Sequence, residues 1–232
     1  MAPNNRWRRW GSSVIAAIAL ASTSAFGGLF STALSDADAK QIKRLALVSA
    51  LGDTLHGRQV GLTVFQNRSF DAVVPNWGLD AAVTSQMKEA IVASGKIAGE
   101  IVPLDVSPPD IKTLLATARA QGFDAVLAVL PEANVHDSSI VPGAILLRRK
   151  LPGVDRVYPC NGMVLRMSRV SDGRQIGFAV PSACSDMPKA LVWHDAWADF
   201  TADEKRVTLD AVKSYIHQQV GTALGTANIS AQ

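Results

Sequence analysis

Apolar and polar positions alternate in blocks whose period changes along the chain, and the changes mark the elements. Residues 44–51 form a β-like apolar segment closed by the turn-rich Gly52-Asp53-Thr54. Val60-Gly61-Leu62-Thr63-Val64-Phe65 reads as a second strand. Between 79 and 94 the period lengthens: Leu79, Val83, Met87, Ala90 and Ile91 share one helical face, and Gly95 is placed to end the helix. Residues 100–106 are again strand-like. Ser107-Pro108-Pro109-Asp110 predicts a helix start, with Ile111, Leu114, Leu115 and Ala118 as the buried stripe and Gly122 as the stop. Residues 124–130 are almost wholly apolar, as in a strand covered on both faces. A last helix opens on a Thr201/Glu204 capping box and carries Leu209, Val212, Ile216 and Val220, with the chain frayed from about Gly225.

This order predicts one α/β domain over residues 40–232. Its short parallel βαβαβ core is extended by residues 144–147 and an antiparallel hairpin and joined by a C-terminal helix, in two or three layers. In element order over roughly 44–220 it resembles the small α/β domains of bacterial envelope proteins, such as the N-terminal domain of TolB or the curli secretion factor CsgG. The segment 49–55 leading into 60–65 also resembles exported bacterial proteins. Both likenesses imply a scaffold for envelope assembly or binding and assign no activity.

Residues 1–39 read as a signal peptide or membrane anchor. Arg6, Arg8 and Arg9 precede an apolar run from Val14, and small residues end at Thr23-Ser24-Ala25; a second small-x-small site is Ala37-Asp38-Ala39. Residues 14–34 hold no charge over 21 positions, long enough to span a bilayer if uncut. Arg8-Arg9 resembles a twin-arginine signal, but Gly11 and Ser12 sit where that signal wants apolar residues. No cysteine lies near either site to be lipidated. The leader changes the charge argument: cleavage after Ala25 removes three arginines and takes 23 basic residues against 20 acidic to 20 against 20. The positive balance is therefore no case for a nucleic-acid partner.

An exported context predicts a disulfide between the only two cysteines, Cys160 and Cys184. Residues 163–170 and 174–180 read as strands around Ser171-Asp172-Gly173. A three-residue loop ending in a left-handed Gly sets Val170 opposite Arg174, and counting back sets Cys160 opposite Cys184.

Gly52-Asp53-Thr54-Leu55 after an apolar strand resembles the nucleophile block of GDSL-type esterases, with Thr54 where those enzymes place Ser. They need a late Asp-x-x-His pair; here His194-Asp195 are adjacent and reversed, and a hairpin turn explains Gly and Asp as well. His56, His136, His194 and His217 have no spacing that puts two metal ligands on one helix face, and no Gly-rich phosphate loop follows a strand. No cofactor or metal is implied. Topology supplies the site candidate, because ligands of open α/β sheets bind beyond the carboxyl ends of parallel strands. Those ends are expected at 66–77, 107–109 and 131–142. The last brings Glu132, Asn134, His136, Asp137, Ser138 and Ser139 within eight positions, with Arg68 approaching from the first. The aromatic segment 192–200 suits either a recognition wall or packing over a sheet edge.

Together these features predict a non-catalytic exported protein, periplasmic or secreted, that binds or assembles in the envelope. Its expected partner is an envelope protein or a small polar ligand, with membrane contact only through a retained N-terminal segment. The alternative is an exported hydrolase using Thr54 or the His136 loop.

Overall fold

The computed structural model describes residues 31–104, 106, 110–134, 137–185 and 191–230. Residues 1–30 of the N-terminal leader, Ser107-Pro108-Pro109 and His136 lie outside them. The elements are α1 (Asp36–Gln41), β1 (Arg44–Ser49), β2 (Thr54–Gly61), β3 (Arg68–Val73), α2 (Leu79–Ser94), β4 (Glu100–Pro103), α3 (Ile111–Ala120), β5 (Ala125–Pro131), β6 (Gly143–Leu151), β7 (Val154–Arg169), β8 (Gln175–Ala179) and α4 (Ala202–Thr226). The protein is a mixed α/β fold built on one eight-stranded sheet.

Alternation along β1 explains the layers. Leu45 and Leu47 point to one face, where they pack with α2 (Leu79, Val83, Met87, Ile91) and α4 (Val212, Ile216, Val220). Ala46 and Val48 point to the other, against Leu114 and Ala118 of α3. β1 lies between β4 and β5, parallel to both, which makes the expected three-stranded parallel core.

The registers then show something the chain order hides. β5 and β6 pair along the same edge of β7, with Pro131 opposite Met163 and Gly143 opposite the adjacent Gly162. They are one line of strand from which residues 132–142 leave and return. β1 and β2 likewise lie in line, against β5 and β6 respectively, and part only at Gly52-Asp53. The sheet is thus two half-sheets end to end, a proximal β4-β1-β5 and a distal β3-β2-β6, both resting on the 16-residue β7. The junction crowds one glycine. A Cβ on Gly162 would lie 1.9 Å from the Val141 carbonyl oxygen and 2.7 Å from that of Glu132.

Several expectations hold. α2 spans the predicted residues and ends at Gly95 in the left-handed region (φ 61°). α4 opens on the Thr201/Glu204 capping box, both halves formed. The cysteine hairpin has the counted register: Leu165 opposes Ala179, Cys160 opposes Cys184, and the two cysteines form a disulfide with Cα atoms 4.1 Å apart. A bulge between Met167 and Ser168 absorbs a one-residue shift near the turn.

Other expectations are corrected. The second strand is Thr54–Gly61, not 60–65; residues 64–66 form a 3-10 turn at a hairpin tip, and β3 returns antiparallel to β2. β-Branched and aromatic content made the tip look like a strand. The true strand buries Leu55, Gly57 and Gln59, a mixed set with no apolar stripe. Gly57 is buried because the Phe70 ring, directly across in β3, occupies its side-chain space: a Cβ there would meet that ring at 2.2 Å. Gly52-Asp53 is an offset between collinear strands rather than a hairpin turn. The N-cap of α3 is Asp110, whose carboxylate accepts the Thr113 amide at 2.8 Å. The C-terminus does not fray at Gly225: Ala227 and Ile229 are fully buried, and the Asn228 side-chain amide donates to the Leu34 carbonyl. Residues N-terminal to position 40 also pack on the domain, since Leu34 is 1 % exposed and Asp38 pairs with Arg169 and Arg174.

The disulfide closes a loop of 24 residues in sequence separation, for which loop-closure entropy gives a contribution of about 3 kcal/mol. Replacing both cysteines by serine should lower the urea midpoint with little change in slope. Reductant should shift the unaltered protein to about the same midpoint and leave the double variant where it is.

Candidate functional site

On the distal half-sheet, alternate residues of β2, namely His56, Arg58 and Val60, share one side. Val60 packs there with Ile140, Ile145, Leu147 and Cys160. β3 sets Asp71 opposite His56 and Ser69 opposite Arg58. The Asp71 carboxylate sits 2.8 Å from His56 Nδ1 and accepts from Arg58 Nη1 at 2.9 Å. The same Arg58 nitrogen donates to the Gly57 and Phe70 carbonyls, which fixes the guanidinium. The His56 hydrogen bond first, and then Arg58, hold the Asp71 carboxyl below the usual aspartate range against the opposing effect of desolvation.

Residues 137–140 cover part of this side. Ile140 is buried on the β6 face and anchors the segment. Asp137 accepts the Ser139 amide at 2.9 Å and its hydroxyl at 2.5 Å, a local turn, and pairs with Arg149 of β6 at 3.0 Å. Burial alone would raise the Asp137 pKa; the Ser139 hydrogen bonds and Arg149 outweigh it, and the carboxyl titrates low. Between this segment and the β2–β3 hairpin lies a cleft of about 540 Å³ lined by Arg58, Arg68, Ser69, Asp137, Ser138 and Ser139. Two guanidinium groups and three hydroxyls around a carboxylate that already has its partners suit an anionic or polyhydroxylated ligand. Arg68 is set in the wall by its own bonds to the Phe65 and Asn67 carbonyls.

The structure therefore divides the residues expected from sequence. Arg68, Asp137 and Ser138 meet at this cleft. Glu132 and Asn134 line a different, more apolar cleft of about 370 Å³ with Gly162, Phe178 and Val180. The expectation placed the site at open carboxyl ends of parallel strands. Here β2 continues β1 and β6 continues β5, so the crevice is filled by strand, and the 68–73 part of the first expected end is β3 itself.

Arg58, Ser69 and Asp71 were not singled out from sequence, and His56 was weighed there only as a metal ligand. Their only local signal is the alternation His56-x-Arg58, and their meaning depends on which β3 residue faces each. Thr54 is the first residue of β2, opposite Val73 and two positions before His56. His194 is turned elsewhere, with its ring against Phe200 (4.8 Å) and Nε2 3.3 Å from Glu204. The aromatic segment packs, with Trp193, Trp197 and Phe200 gathered around Phe70 at 5.4–6.1 Å between centroids. Among the described residues no group of three or more His, Cys, Asp or Glu is placed to hold a metal, and no helix is long and apolar enough to cross a membrane.

The sequence matches no protein-family profile and no curated protein. Among solved structures it is similar to the PelC dodecamer from Paraburkholderia phytofirmans, at 12 % identity and a TM-score of 0.38 over 87 % of this chain and 96 % of that one. A leucine-to-methionine variant of the same dodecamer, in another crystal form, gives 11 % identity and the same TM-score.

Because the folded-state pKa of Asp71 is lowered, its interaction with His56 and Arg58 stabilises the fold above the ordinary aspartate pKa. That stabilisation is lost as pH falls through the lowered value, below about pH 4. A carboxyl-carbon NMR titration should place the Asp71 midpoint below that of a free aspartate. Arg58→Ala and His56→Ala should each move it back up.

Proposed function

We propose that this chain is a non-catalytic exported α/β protein, a binding or assembly component of the cell envelope that takes a small polar or anionic ligand at the Arg68–Asp137–Ser138 cleft. The observation that carries the reading is the Cys160–Cys184 disulfide behind an export-type leader. Both cysteines of the chain are committed to one cross-strand bond, and such bonds persist in oxidising compartments. Of the two cleavage points, the packing supports Ala25, because a cut after Ala39 would remove buried Leu34 and the Asp38 carboxylate that pairs with Arg169 and Arg174.

Cell fractionation with acid-quenched thiol alkylation tests this. The protein should be recovered outside the cytoplasm with neither cysteine alkylated, and its mass should correspond to a chain starting at Phe26. Recovery in the cytosol with both thiols alkylated would overturn the reading.

One observation favours the rival, an exported hydrolase. The His56 imidazole is oriented through Nδ1 by a carboxylate, as a general base requires, and Thr54 precedes it on the same strand. That reading predicts hydrolysis of short-chain nitrophenyl esters by the purified protein, lost at least a hundredfold in Thr54→Ala and in His56→Ala. Turnover no faster than buffer would remove it.

A further inference from the structure

The far end of the distal half-sheet carries an apolar surface that neither the core nor the cleft uses. At the β2–β3 tip Leu62, Val64 and Phe65 are 65 %, 76 % and 86 % exposed. The ladder sets Gly61 beside Lys150, so the β6–β7 turn ends at the same place, adding half-exposed Leu151. Scattered exposed apolar residues are ordinary, but a cluster at one end is not.

The tip is also built so that its backbone is not left bare. The Asn67 side chain accepts the Gly61 amide and Gln66 Oε1 accepts the Leu62 amide. The Gln66 and Asn67 amides donate to the Thr63 and Val64 carbonyls. Arg68 donates to the Phe65 and Asn67 carbonyls, and Gln59 to that of Gln66. Polar backbone groups bonded within the hairpin lower the cost of moving it out of water, where each unpaired group would be expensive.

Behind the apolar end stands a band of cations. Arg148 is held by Asp155 and Arg149 by Asp137, while Arg68 lies 3.9 Å from Asp195. Lys150 and Arg156 are exposed and stand outside any ion pair among the described residues. Lys150 lines one depression with Arg68, Arg148 and Asp195. An apolar point with excess positive charge one layer behind it matches the interface of a bilayer bearing anionic headgroups, which takes apolar side chains to a depth of roughly 5–10 Å and attracts basic ones. A second protein is the poorer fit, since a stable interface needs about 800 Å² from each partner and a hairpin tip offers far less.

We propose that this end of the sheet docks on membranes containing anionic lipid, with Leu62, Val64 and Phe65 in the interface and Lys150 and Arg156 at headgroup level. The inference rests on the tip's geometry and charge alone, and it stands or falls separately from export and from the cleft.

The full chain, disulfide intact, can be labelled with an environment-sensitive fluorophore at Thr63→Cys or, as a control on α3 of the proximal half, at exposed Lys112→Cys. Any contribution of the N-terminal segment is then common to both. Vesicles of phosphatidylcholine with about 30 % phosphatidylglycerol, on the order of the anionic content that gives a substantial surface potential, should blue-shift the label at 63 and leave the label at 112 unchanged. Phe65→Ser and the pair Lys150→Glu/Arg156→Glu should each weaken the half-saturating lipid concentration about tenfold. All these positions are exposed, so an unchanged thermal melt shows that the variants remain folded. Three results would overturn the proposal: no shift at 63, a shift that both variants retain at full strength, or a protein-concentration-dependent shift without vesicles, which would mean tip-to-tip association.

Discussion

β7 is the one strand that crosses the whole sheet, and the arrangement of the rest follows from it. Its residues 154–162 hold β6 and its residues 163–169 hold β5, so every other line of strand must be interrupted where those two sets meet. The β5–β6 line is broken by residues 132–142, the β1–β2 line by Gly52-Asp53. Gly162 lies at the break because the departing and returning chain passes over its Cα with no room for a side chain. The neighbouring break is tied down by Asp80 in the first turn of α2, which accepts the Ser49 hydroxyl (2.5 Å) and the Leu51 (2.8 Å) and Gly52 (3.0 Å) amides. A carboxylate there also faces the positive end of the helix dipole. The disulfide, two residues from Gly162, fastens the third line of chain beside the same junction. There Asn161 donates its backbone amide to the Ala183 carbonyl and its side-chain amide to the Ser182 carbonyl.

The two half-sheets are finished differently. The proximal half is covered on both faces by helices, and its inner strands β1 and β5 are buried almost throughout, while edge strand β4 is half exposed. The distal half has the aromatic cluster around Phe70 on one side and residues 137–140 on the other. Loops and rings cover a sheet less completely than helices, and two clefts with polar linings open beside the β2–β3 hairpin here. The halves still share one core on the α4 side, where Leu55, Ala144 and Leu146 of the distal strands join Leu45, Leu47 and Leu127 of the proximal ones, so the distal surface free to vary is the opposite one, around residues 137–140.

Legibility in the sequence follows this division. α2, α3, α4 and β5 carry long periodic or continuous apolar patterns, because each is buried in the core on a face of the sheet or within it, and the pattern records that burial. The cysteine register was legible for a different reason: a hairpin with a known loop fixes its own pairing, and Cys160 and Cys184 are reached by counting. β2 was illegible because its buried positions are Leu55, Gly57 and Gln59. What buries Gly57 is Phe70, thirteen residues away, and what satisfies Gln59 is the Gln66 carbonyl and the Arg148 side chain. Residues 60–65 misled in the opposite sense, since strand-forming side chains there serve a turn whose backbone is held by Asn67 and Gln66.

The candidate site was half legible on the same principle. Asp137, Ser138 and Ser139 form a turn within three residues, so their proximity is a local fact. That Arg68 reaches them follows from a hairpin closing over the loop, which element order alone could suggest. The pairing of His56 with Asp71 is a matter of cross-strand register. A slip of one position in β3 would put Asp71 on the opposite side of the sheet, away from His56 and Arg58. The register is held by Phe70, which fits over Gly57 and at no neighbouring position of β2, where Leu55 and Gln59 have side chains of their own. The polar arrangement on one side of the distal sheet is thus set by an aromatic packing constraint on the other.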